Sequence, residues 1–174
     1  MRGLLLAVAV LSSSPATAQP LPKGYYFPDQ AEEKPWEEQK LALPPYPRPE
    51  NLLKFQVSGS TSFDFFVDPT SISVGKDGVV RYALMARSST GATNVSFEGI
   101  KCTGRERKLY AFGRPDGTWS QARDARWGPI TGNQANRHHA ALADEFFCPA
   151  RLIVRDTEEA LDALKRGGHP RASN

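Results

Sequence analysis

The feature that most constrains this chain is a strict alternation of side-chain character over residues 79–87 and again over residues 92–100. In the first run Val80, Tyr82, Leu84 and Ala86 point one way, and Arg81, Ala83, Met85 and Arg87 the other. In the second, Thr93, Val95, Phe97 and Gly99 alternate with Ala92, Asn94, Ser96 and Glu98. A period of two bounded by Gly/Ser clusters marks β-strands with one well-buried face. Ser88-Ser89-Thr90-Gly91 joins the runs, with glycine where a positive φ is needed. A two- or four-residue loop sets a register in which Tyr82 faces Phe97, Leu84 faces Val95 and Arg81 faces Glu98. The apolar partners then share one face and the opposite charges the other, as stabilising cross-strand pairs do.

Further strands are expected on both sides of this hairpin. Residues 53–57 and 62–67 flank the turn Ser58-Gly59-Ser60; Asp68-Pro69 ends the second strand, and residues 71–74 begin the next. Gly75-Lys76-Asp77-Gly78 suits a hairpin turn. Residues 108–112 and 118–122 form strands around Arg114-Pro115-Asp116-Gly117, whose proline and glycine occupy the turn's preferred places. Residues 135–147 read as a helix that delivers Cys148. Asp156-Thr157-Glu158-Glu159 caps a second helix with an Ala160, Leu161, Leu164 stripe, stopped by Gly167-Gly168. The expected architecture is α+β: a twisted antiparallel meander of about six strands with C-terminal helices and one disulfide.

The N-terminus is of another kind. Met1-Arg2, an apolar run over residues 3–11 and Ala16-Thr17-Ala18 form a secretory signal peptide over residues 1–18, with cleavage before Gln19. The apolar run falls short of the ~20 residues a bilayer span needs, and no later stretch is a better candidate. The mature protein is expected in the periplasm or outside the cell. Residues 19–50 carry eight prolines and the acidic Glu32, Glu33, Glu37 and Glu38. Such a segment is expected to be an extended arm, with residues 43–47 near polyproline II; residues 35–40 have room for one helical turn, with Pro35 at its first position. Tyr25, Tyr26, Phe27 and Trp36 imply that part of it docks. Residues 51–174 form a single domain, which should still unfold cooperatively without residues 19–48.

Several chemistries can be weighed. Two cysteines in an exported chain allow one pairing, Cys102 with Cys148; a redox motif would need Cys-x-x-Cys. The adjacent His138 and His139 point about 100° apart on a helix and read as surface residues rather than metal ligands. Asp64, Asp68, Glu98 and Asp144 are the carboxylates from which an acid–base pair could come. Asn94-Val95-Ser96 matches a glycosylation sequon but lies within a strand. The net charge of +3, reduced by one on loss of Arg2, is no footprint for nucleic acid. Arg105, Arg107, Lys108, Arg123, Arg126 and Arg137, with Trp119 and Trp127, could meet an anionic envelope polymer, though a solvated face explains them better. No cofactor or metal is expected.

DPTSISVGKDGVVRYALMARSSTGATNVSFEGIKC, followed by YAFG, DGTW and FFC, is similar to the CNP-one-like family of exported bacterial proteins. Trp36-Glu37-Glu38, Leu43-Pro44 and Asn51-Leu52 extend the likeness upstream. The resemblance carries no established activity and so no catalytic roles. The Asp-x-x-Ser-Ile opening and the cysteine-terminated meander also resemble the surface-adhesin E-like family, which implies an interaction module. The expected function is therefore non-enzymatic binding of another envelope component, protein or polymer. The rival is a small periplasmic hydrolase or ligand-binding protein with a pocket on the Arg81/Glu98 face. Arg81, Glu98, Asn94, Trp119 and Trp127 are the residues expected to bind.

Overall fold

Three hairpins of this chain close on the same loop. Gly78 N–H donates to the Gly75 carbonyl (3.0 Å) and Gly75 N–H to that of Val79 (2.9 Å). Gly91 to Ser88 (2.9 Å) with Ser88 to Ala92 (2.8 Å), and Gly117 to Arg114 (3.0 Å) with Arg114 to Thr118 (2.8 Å), repeat the pattern. The glycines sit at φ +77°, +88° and +79°. Each connection is thus a three-residue loop ending in a left-handed glycine, a turn that side-chain-bearing residues rarely complete.

The computed structural model describes residues 35–40, 42–59 and 61–172. The signal peptide expected over residues 1–18, and the docking of Tyr25, Tyr26 and Phe27, lie outside the described residues. Contacts group residues 36–174 as one unit. Its strands are β1 (Leu53–Phe55), β2 (Phe63–Val74), β3 (Val79–Ser88), β4 (Thr93–Lys101), β5 (Glu106–Gly113), β6 (Trp119–Gln121) and β7 (Gly128–Pro129). They form one antiparallel sheet in the order β1-β2-β3-β4-β5-β6, with β7 pairing β5 beside β6. The helices follow: α1 (Arg137–Ala141), a π-helical turn over Leu142–Phe147, and α2 (Thr157–Arg166). The α+β meander with C-terminal helices is what the chain adopts.

One face of the sheet is covered by the helices. Phe55, Phe65, Val67, Tyr82, Leu84 and Ile100 pack there against Leu142, Phe146, Phe147 and Leu164, all buried. Cys102 and Cys148 are bridged, tying the end of β4 to the end of the π-helical turn. Asp156 caps α2 by accepting from Glu159 N–H (2.8 Å), and Glu159 reaches back to Arg155 N–H (2.6 Å). Gly167, at φ +76°, ends the helix.

The structure departs from the sequence reading in four places. Asp68-Pro69 does not end a strand: β2 continues through it, with a shift of register between Asp68 and Ser73. The Ser71 hydroxyl accepts from Ala83 N–H (2.7 Å) and donates to the Asp68 carbonyl (2.7 Å), bridging the irregularity at the proline. The helix expected over residues 135–147 is broken into a 3-10 turn (Gln134–Asn136), α1 and the π-helical turn. Residues 36–40 form no helical turn. Finally, β3 pairs β4 one residue away from the expected register: Arg81 faces Gly99, Tyr82 faces Glu98 and Ala83 faces Phe97. The cause is the three-residue loop, where an even-numbered one was expected. A one-residue slip exchanges faces. Arg81 and Glu98 therefore lie on opposite sides of the sheet and do not pair.

Candidate functional site

The face carrying Arg81 is covered by the arm. Arg81 is 1% exposed and is gripped by Asp77, whose carboxylate accepts from Nη2 (2.5 Å) and Nη1 (3.2 Å). Nη2 also donates to the Gln39 carbonyl (3.2 Å), while Nε is buried without a partner among the described residues. Gly99 makes room beside Arg81. A Cβ there would stand 2.8 Å from the Tyr110 hydroxyl, and the Tyr110 ring lies 5.7 Å from the guanidinium.

Glu38 ties the arm to β5 and beyond. Its carboxylate accepts from Lys108 Nζ (2.7 Å), the Tyr110 hydroxyl (2.7 Å) and Trp127 Nε1 (3.2 Å), and Arg81 Nη2 stands 3.8 Å away. Burial would raise the Glu38 carboxyl, but these donors outweigh it and hold it below the usual range. The same contest lowers Asp77, where burial is opposed by Arg81 and Gln39 N–H. Burial, with the bond to Glu38, pushes the Tyr110 hydroxyl well up.

Three tryptophans complete this face. Trp36 Nε1 donates to the Asp77 carbonyl (2.7 Å), and its ring meets Trp127 edge-on at 6.0 Å. Lys101 Nζ lies 4.5 Å from the Trp36 ring and 5.2 Å from that of Trp127, within cation–π range. Trp119 Nε1 donates to the Pro44 carbonyl (2.8 Å) and its ring lies 5.3 Å from Tyr46. Between arm and sheet a cleft of about 750 Å³ remains, lined by Glu38, Leu43, Arg81, Phe97, Lys108 and Tyr110 among others. That volume is within the range of ligand sites.

Glu98 belongs to the helix-covered face, 4% exposed. Oε2 lies 2.7 Å from His139 Nε2 and accepts from the Tyr82 hydroxyl (3.2 Å), and Oε1 accepts from Ser96 (2.7 Å). Burial would raise this carboxyl; the charge and hydrogen bond of His139, then Ser96, bring it down to about 2. The histidines are not surface residues: His139 is buried, its Nδ1 lacking a partner among the described residues, and His138 is half-buried. His138 stacks on Phe65 at 4.4 Å and touches His139 at 3.9 Å between ring centres. Burial and the neighbouring His139 lower His138 to about 4.

The structure thus gathers Arg81, Trp119 and Trp127 on the arm face, and leaves Glu98 and Asn94 on the other. Among the described residues no pocket is lined by both Arg81 and Glu98. The candidate carboxylates go to separate partners: Asp64 to Lys54 (2.7 Å), Asp68 to Thr70 (2.8 Å), Asp144 to Arg105 (2.5 Å) and Glu98 to His139. Three of the basic residues thought available to a polyanion are paired internally: Arg105 with Asp144, Lys108 with Glu38, and Arg126 with Asp124. Glu38, Asp77, Lys108 and Tyr110 were missed as a cluster because the arm's docking is not a local pattern. The one signal available was an acidic–aromatic Trp36-Glu37-Glu38 facing a basic–aromatic Lys108 to Tyr110.

The model of the CNP1-like family matches residues 31–165, taking in both the arm that carries Glu38 and the whole sheet. The chain belongs to the CNP1-like family. Its CNP1-like sequence is 28% identical over 155 residues to "Cryptic neisserial protein 1" of Neisseria gonorrhoeae (strain ATCC 700825 / FA 1090), covering 79% of this chain and 75% of that protein. No solved structure matches this CNP1-like chain. No helix among its described residues is long and apolar enough to cross a membrane.

Proposed function

We propose that this protein is an exported, non-enzymatic binding module of the cell envelope, working in the periplasm and taking its partner at the cleft between arm and sheet. The observation that supports this is the construction of the cleft. Its walls come from an extended arm and from the sheet, which a loop of the bound partner could bridge. Glu38, Lys40, Arg81 and Lys108 line the cleft, with Arg81 already paired to Asp77 and Lys108 to Glu38, so the site favours a partner of mixed polarity over a polyanion. Phe97 and Tyr110 supply the rigid aromatic area on which binding surfaces depend, and Trp119 and Trp127 pack against those two rings.

Photo-crosslinking from position 121, at the cleft edge, tests this in intact cells. One discrete envelope protein should be captured, and Ala42→Trp, which fills the cleft from an exposed position, should abolish its capture. Unchanged capture in Ala42→Trp removes the cleft from the reading. N-terminal sequencing of the protein from the periplasmic fraction should begin at Gln19; an intact Met1 in the cytoplasm would refute export.

A further inference from the structure

A second cavity, of about 530 Å³, opens on the other side of the sheet, and no described residue of the arm lines it. Its floor is a row across three strands, in which Phe65 pairs with Ala86 and Ala86 with Asn94. Phe63, 37% exposed, stands at the rim, and Gln134 and His138 close the helical side. No Asp, Glu, Lys or Arg is among the described lining residues. The side chains of Asn94, Gln134 and Ser62 make no hydrogen bond among the described residues, and neither does His138.

We infer that this cavity is a binding site for a neutral saccharide. A sugar ring has a face of polarised C–H bonds and a rim of hydroxyls. The first packs on aromatic rings, one of which Phe63 supplies at the rim. The second needs donors and acceptors at once, which two carboxamides, a hydroxyl and an imidazole provide. The lowered His138 leaves its imidazole neutral at pH 7, able to donate from one nitrogen and accept at the other. A charged ligand would find no counter-ion among these residues. The inference is separate from the cleft on the arm face.

Titrating the isotope-labelled full chain with the β-1,4-linked disaccharide of N-acetylglucosamine tests it by NMR. The side-chain amide signals of Asn94 and Gln134 should move together, saturating with a Kd of about 1 mM. Asn94→Ala, at an exposed position, should weaken binding about fivefold or more through loss of its hydrogen bonds. Phe63→Ala should weaken it similarly, and Ala42→Trp should leave it unchanged. Absence of shifts at about ten times that concentration, or shifts that survive both Asn94→Ala and Phe63→Ala, would overturn the assignment.

Discussion

His139 Nε2 lies 2.7 Å from Glu98 Oε2 on the face of the sheet opposite Arg81, both side chains 5% exposed. Removing Glu98 leaves the buried His139 without its partner, and removing His139 leaves the buried carboxylate with only Tyr82 and Ser96. Glu98→Ala or His139→Ala should each cost about 3–5 kcal/mol by urea denaturation. A double-mutant cycle between them should show strong coupling, whereas one between Arg81→Ala and Glu98→Ala should be nearly additive. Strong Arg81–Glu98 coupling would contradict the register.

His138 makes stability depend on pH. Its folded value of about 4 lies below the ordinary 6.5, so the unfolded chain takes up the proton first. The contribution is complete above pH 6.5 and is lost as pH falls toward 4, amounting to about 3 kcal/mol. His138→Phe should flatten the stability curve in that window. An unchanged slope would place the effect elsewhere.

Gly99 is predicted to be intolerant of a side chain. The added methyl of Gly99→Ala would lie 2.9 Å from the Tyr110 ring and 3.0 Å from Val79 Cγ1. Overpacking of this kind costs about 1–3 kcal/mol. Because Tyr110 also holds Glu38, the arm should loosen, and trypsin should cut at the exposed Lys40 faster than in the native protein. Equal cleavage rates would show that Tyr110 is not what latches the arm.

Deleting residues 19–48 should leave cooperative unfolding intact, since the seven strands and two α-helices of the described residues, and the disulfide, lie beyond the cut. The Tm should nonetheless fall, because Lys108, Tyr110, Trp119 and Trp127 lose the partners described above. Loss of the cooperative transition in a thermal melt would make the arm part of the core.

The meander was legible because its signals are local. Alternation in β3 and β4, and the three turn glycines, identify strands and reversals without knowledge of the whole. Register was not, because it depends on loop length. Counting Ser89, Thr90 and Gly91 as the loop, with Gly91 left-handed, moves Glu98 from beside Arg81 to beside Tyr82. His139 was misread for a related reason. Nothing adjacent to it indicates burial; what buries it is a carboxylate forty-one positions earlier in the chain. The Glu38 cluster joins residues 70 to 89 positions apart, and periodicity has nothing to say about such distances.

The bridge from Cys102 to Cys148 encloses β5, β6, β7, α1 and the π-helical turn within one covalent ring. A single peptide-bond break inside that ring releases no fragment. The nicked molecule would keep its mass on a non-reducing gel, apart from the water gained in hydrolysis, and both pieces would remain beside each other at high effective concentration. A protease that cut the exposed turn at Asp116-Gly117 would thus leave the protein in one piece, and the damage would surface only when the sulfurs were reduced.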